Sequence, residues 1–131
     1  EQMDKKQLDI ALEEFFHEVQ VNSGIDIQFR KNEPTFTLTS EAELSIFRGV
    51  QEAITNAMRH GQATRITVLL MYNPSQLVVT IKDNGTGAVD LAPKGGLKSL
   101  QERLRAEGGS VTLEASNPGV TVQMILPNTE K

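Results

Sequence analysis

The sequence predicts an α+β fold of two layers, with helices packed on one face of a mixed, mostly antiparallel sheet. Three observations point to it. Residues 77–82 set Leu77, Val79 and Ile81 on one face and Val78, Thr80 and Lys82 on the other, the period of a strand with one buried side. Residues 40–60 place Ile46, Val50, Ile54 and Ala57 along one helical face. Two short breaks, Asn73-Pro74-Ser75 and Asn117-Pro118-Gly119, each join a pair of strand-like runs, so the strands return antiparallel.

Taken in order, residues 5–21 carry Leu8, Leu12, Phe15 and Val19 close to helical spacing and predict a packing helix; His17 on it has no catalytic companion nearby and reads as structural. After Asn22-Ser23-Gly24, Ile25, Ile27 and Phe29 alternate with Asp26, Gln28 and Arg30 as a half-buried strand. Residues 35–38 are a short further strand or a connection. Ser40 with Glu43 has the form of a capping box and opens the second helix, which runs to about His60 and stops at Gly61. Strands follow over 65–72 and 76–83. Residues 84–96 hold Pro93 and glycines at 85, 87, 95 and 96 without apolar alternation, the pattern of a loop. A helix over 97–107 ends at Gly108-Gly109. Strands 111–115 and 120–126 close the chain, with Pro127 ending the last.

The 131 residues, 38% of them hydrophobic, suffice for a single domain with one core. A formal net charge of −4 argues against a nucleic-acid-binding surface. The absence of cysteine excludes disulfides and thiolate chemistry and fits a reducing compartment. No apolar run approaches the roughly 18 residues of a membrane helix, and no signal peptide is visible. A cytoplasmic domain without direct contact to membrane or nucleic acid is therefore expected. Because the chain opens at Glu1, it reads as a piece cut from a longer protein.

Counting by twos from Leu77 aims Asp83 at the buried face, where a carboxylate is costly without hydrogen-bonded partners. Gly85 and Gly87 then let the backbone turn and approach a ligand closely. Asn-Gly after a strand also opens hairpins. Here no returning strand follows, which favours a ligand-facing loop. On the second helix Glu52, Asn56 and Arg59 share a narrow polar arc with His60 at its edge, flanked by the small residues Gly49 and Ala53. Such an arc is ordinarily a solvated face. The small neighbours leave room for a bound group, and Glu52 with Asn56 supplies the hard oxygen donors that Mg²⁺ accepts alongside substrate phosphates. His60 reads equally as a metal ligand, a phosphate contact or a cation at a helix end. Lys94-Gly95-Gly96-Leu97 precedes a helix, whose free N–H groups and dipole favour an anion, although a flexible loop has the same composition.

In sequence order, QEAITNAMRHG, DNGTG, GGLKSLQERL and a closing GVTVQMILP resemble the catalytic ATP-binding domain of sensor histidine kinases, in the superfamily shared with type II topoisomerases and mismatch-repair ATPases. The likeness covers nearly the whole chain. Its Glu-Ala-x-x-Asn-Ala-x-x-His and Gly-Leu-x-x-Leu-x-Glu-Arg-Leu strings are similar to the subfamily paired with helix-turn-helix response regulators. The resemblance implies a Bergerat-type α/β sandwich with an ATP lid over 84–96, and ATP and Mg²⁺ as cofactors. Asn56 would ligate Mg²⁺, and Glu52 would order its shell or act as base toward the attacking histidine. Arg59 and His60 would lie near the phosphates. Asp83 would accept from the adenine amino group, Gly85 and Gly87 would shape the adenine pocket, and Gly95, Gly96 and Leu97 would close the lid. The implied partners are ATP, a dimerisation and histidine-phosphotransfer domain of the same protein, whose parent could be membrane-anchored, and a response regulator. An anti-sigma-type serine kinase of the same superfamily and a noncatalytic nucleotide-dependent module are the alternatives. Two positions depart from the family: Lys94 replaces the first glycine of its Gly-x-Gly lid motif, and Val120 stands where a Gly-Thr pair would put threonine, leaving Thr121 one place late.

Overall fold

The computed structural model describes residues 7–87 and 90–129. Its elements are α1 (Gln7–Ser23), β1 (Asp26–Lys31), α2 (Ser40–Arg59), β2 (Arg65–Asn73), β3 (Gln76–Asp83), α3 (Gly95–Ala106), β4 (Ser110–Ala115) and β5 (Val120–Pro127). The sheet order is β1-β2-β3-β5-β4. Only β1 and β2 pair in parallel, joined by the crossover through α2; the other neighbours are antiparallel, as short turns require. All three helices meet the sheet, α2 against β3 and β5 at its centre, giving the expected two layers.

Alternation decides which residues meet. Ile66, Val68, Leu70 and Tyr72 of β2 lie opposite Asp83, Ile81, Val79 and Leu77 of β3, and the last three face Val122, Met124 and Leu126 of β5. These side chains pack with Leu12 and Phe16 of α1, Ile46, Val50 and Ile54 of α2, and Leu97, Leu100 and Leu104 of α3 in one cluster. Asp83 is therefore the last member of an otherwise apolar row. Gly49 lets α2 and α3 approach, since a Cβ there would meet Leu100 and the Met124 Cε. At the other end of the sheet Lys31 ties β1 to α1 through the buried Asp9, at 3.1 Å, and through Glu13 at 3.5 Å. Among the described residues no helix is long and apolar enough to cross a membrane.

Several local expectations shift. Thr39, not Ser40, caps α2: its hydroxyl accepts from the Ala42 N–H at 3.1 Å, and its carbonyl accepts from Glu43 N, starting the helical ladder. The partner of a capping box at Thr39 would have to be residue 42, an alanine, so only half of the box forms. Residues 35–38 form a bend and no strand. Helix α1 continues to Ser23, whose hydroxyl bonds back to the Val19 carbonyl at 2.6 Å; its expected start at Lys5 lies outside the described residues. Helix α3 starts two residues early, at Gly95. Helix α2 ends at Arg59 as its stop at Gly61 requires, and Gln62 takes the left-handed conformation at φ 54°.

Candidate active site

The site grows from the polar end of β3. One Asp83 oxygen, Oδ1, accepts from Gly85 N at 2.8 Å and from Val120 N at 3.3 Å. Among the described residues the other, Oδ2, receives no hydrogen bond. A buried carboxylate is thus held by backbone on one side and keeps an acceptor for something else. Gly119 makes this possible. At φ 91° it adopts a conformation L side chains avoid, and a Cβ there would strike the Asp83 carbonyl and lie 2.6 Å from Oδ1. Gly119→Ala is expected to destabilise the chain by about 1–3 kcal/mol and to displace Asp83. A denaturant melt superimposable on that of the parent chain would refute this assignment.

The turn after Asp83 is fixed to the end of α2. Asn84 Oδ1 accepts from the N–H groups of Thr64 and Arg65, each at 2.9 Å, and its Nδ2 donates to the Thr64 hydroxyl at 3.0 Å. Thr86 N donates to the Gly61 carbonyl at 2.6 Å, and a Cβ on Gly85 would collide with that same peptide. Gly85 is therefore small because its backbone touches the Gly61 peptide. Of the residues expected in the lid, Asn84, Gly85 and Thr86 are anchored, while Ala88 and Val89 lie outside the described residues.

The third motif reaches α2 about two turns before its end. The Gly96 Cα sits against Glu52: a Cβ built on it would lie 3.1 Å from Oε1, and one on Gly95 3.9 Å from Oε2. The start of α3, with its dipole and no side-chain cap, therefore faces the Glu52 carboxylate. Leu97 is fully buried and its N–H bonds to the Lys94 carbonyl at 3.1 Å, so it anchors Gly96 and leaves the surface to its neighbours. Lys94 Nζ lies 3.0 Å from Asp90 Oδ2. The backbone N–H of Ala92, with help from Lys94, holds the Asp90 carboxyl below its ordinary pKa.

Glu52 and Asn56 are half-buried on the outer side of α2, and Arg59 and His60 are exposed at its end. His60 is the helix C-cap, its N–H bonded to the Asn56 carbonyl at 2.9 Å, which suits a cation at the negative pole of the dipole. Close contacts thus bring the four motifs together around the second half of α2: Gly61 with Gly85, the Glu52 side chain with Gly96, and Asp83 with Gly119. Sequence reading missed Asn84, Thr64 and Gly61 as the fasteners of this arrangement. A groove of about 600 Å³ between α2 and α3 begins at Glu52 and Gly96 and runs past Arg48 and Arg103 to Phe15. Asp83 is not in its lining, so the groove is distinct from the adenine end expected at Asp83.

This geometry accompanies similarity to known proteins. The chain is 29% identical over 133 residues to the oxygen sensor histidine kinase NreB of Staphylococcus carnosus, covering 98% of this chain and 38% of that protein. It is 32% identical over 123 residues to the sensor histidine kinase YxjM of Bacillus subtilis, covering 89% of this chain and 29% of that protein. It therefore spans well under half the length of these relatives. The solved structure of the histidine kinase ThkA in complex with the response regulator protein TrrA shares the fold, with a TM-score of 0.76 at 16% identity, over 97% of this chain and 41% of that one. Residues 41–130, which hold all four motifs, match the model of the family described as histidine kinase-, DNA gyrase B- and HSP90-like ATPases, and the chain belongs to that family.

Proposed function

We propose that this chain is the Mg-ATP-binding catalytic domain of a two-component sensor histidine kinase. It passes the γ-phosphate to a histidine on a separate dimerisation domain of the same protein, from which a response regulator takes it. The observation that carries this reading is Asp83, a buried carboxylate fixed through Oδ1 and left with Oδ2 as an acceptor, beside glycines whose side-chain space is filled by neighbouring backbone. An adenine amino group is a donor of the required kind. Gly85 and Gly87 give the ring its approach, and Asn56 carries the metal.

The donor set fits magnesium. Among the described residues no three His, Cys, Asp or Glu side chains cluster as a metal cage. Glu52 and Asn56 offer oxygens one helical turn apart, and Mg²⁺ ordinarily completes its shell with phosphates and water. When bound, the ion supplies charge neutralisation at the phosphates. The protein's own groups position: Gly95 and Gly96 offer backbone N–H at the start of α3, Arg59 and His60 reach toward the phosphates from the end of α2, and Leu97 holds the start of α3 to the core. The lid is anchored through Thr86, because Asn84 and Thr86 are bonded to the connection between α2 and β2.

Nucleotide at 100 times its dissociation constant should stabilise the fold by about 2.7 kcal/mol, visible as an upward shift of the thermal melt. ATP and ADP should give the shift and GTP should not, because guanine presents a carbonyl where adenine has its amino group. No shift with ATP, or an equal one with GTP, would overturn the reading.

A further inference from the structure

We propose that Lys94 is a polyphosphate ligand which Asp90 holds beside the site until nucleotide arrives, so that this lysine makes the domain prefer the nucleotide with more phosphates. The proposal rests on the functional reading above. Its starting point is the departure at Lys94, which stands where related lids have a glycine. A lysine there gives up backbone freedom, and its side chain does not repay it by capping α3.

The backbone at Lys94 is extended, at φ −134° and ψ 158°, and the next two residues are the glycines packed on Glu52. This fixes the root of the lysine stem beside the glycines that pack on Glu52, where the phosphates of a bound nucleotide belong. The flexible four-carbon stem then lets the ammonium choose among nearby anions. In the structure it chooses Asp90, at 3.0 Å from Oδ2, although Glu52 is close to the adjoining backbone. Asp90 is itself aimed: its Oδ1 is bound to Ala92 N at 3.0 Å, so its second oxygen is held toward Lys94 and the carboxylate stays ionised.

The pair is easily exchanged. Lys94 and Asp90 side chains are 70% and 54% exposed, and ion pairs of such exposure contribute little. A triphosphate presents several charged oxygens against one carboxylate and forms stronger charge-assisted hydrogen bonds. Lys94 therefore leaves Asp90 for the polyphosphate, and Asp90 acts as a competing anion that weakens binding slightly.

Calorimetric titration of the 131-residue chain with ATP, ADP and adenosine tests this. Lys94→Met should weaken ATP by about tenfold, the scale of one hydrogen bond to a charged group, ADP by less, and leave adenosine unchanged. Lys94→Arg should restore most of the ATP affinity. Asp90→Asn should tighten ATP by about twofold to threefold, since an exposed ion pair opposes binding only weakly. Equal ATP affinity in Lys94→Met and the parent chain would overturn the proposal. So would an equal loss for adenosine, or an ATP loss in Asp90→Asn matching that of Lys94→Met, either of which would make the pair a structural brace. Each of those results leaves nucleotide binding by the parent chain standing; a parent chain that binds no ATP removes the functional reading and this inference with it.

Discussion

Asp83→Asn is expected to abolish the nucleotide-induced shift while leaving the apo fold intact. The substitution separates the two oxygens. An asparagine oxygen still accepts from Gly85 N and Val120 N, so the turn and the β5 contact survive. The amide nitrogen replaces Oδ2 and sets a donor against the donor of adenine. A lost charge-assisted hydrogen bond, together with two opposed donors out of water, weakens binding by about 100-fold or more. Asp83→Ala is a poorer test, because it strips both backbone donors of their partner. The measurement is a thermal melt of each form with and without ATP. An Asp83→Asn protein that melts like the parent chain and keeps its ATP shift would remove adenine recognition from Asp83.

The burial of Asp83 follows from strand alternation that the sequence alone supplies. Counting by twos from Leu77 put the carboxylate on the buried face, and in the structure Leu77, Val79, Ile81 and Asp83 are all buried while Lys82 is exposed. Strand alternation is a property of the backbone and needs no neighbours to predict it. The same holds for the core face of α2, where Ile46, Val50, Ile54 and Ala57 are buried as their spacing requires. Sheet order was less legible, since pairing β3 with β5 and β1 with β2 depends on long-range packing that no local pattern encodes.

The fasteners of the site were hidden for a related reason. Gly85 looks like an ordinary turn glycine, yet it is small because the Gly61 peptide lies against it. Asn84 looks like the first residue of a hairpin turn, whereas its carboxamide bonds to Thr64 and Arg65, about twenty residues away in sequence. The cap at Thr39 was hidden by a better-looking rival: Ser40 and Glu43 have the right spacing, but the chain turns into the helix one residue earlier. Local signals compete, and tertiary contacts decide between neighbours of similar propensity.

Glu52→Gln is expected to lower transfer of phosphate to a histidine-bearing dimerisation domain by about 100-fold to 10,000-fold, the range of general-base assistance, with ATP affinity nearly unchanged. Glutamine keeps the volume against which Gly96 packs, so the start of α3 stays in place and only the charge and the basic oxygen go. Asn56→Asp is expected to act differently, since an added charge at the proposed metal position would alter magnesium dependence and nucleotide affinity together. The two substitutions thus separate a group acting on the nucleophile from a group holding the ion. The readout is acid-labile, base-stable phosphohistidine formed in the full-length parent, set beside calorimetric ATP affinity. Loss of both transfer and affinity in Glu52→Gln would make Glu52 an organiser of the magnesium shell, and an undiminished transfer rate would exclude it from the chemistry.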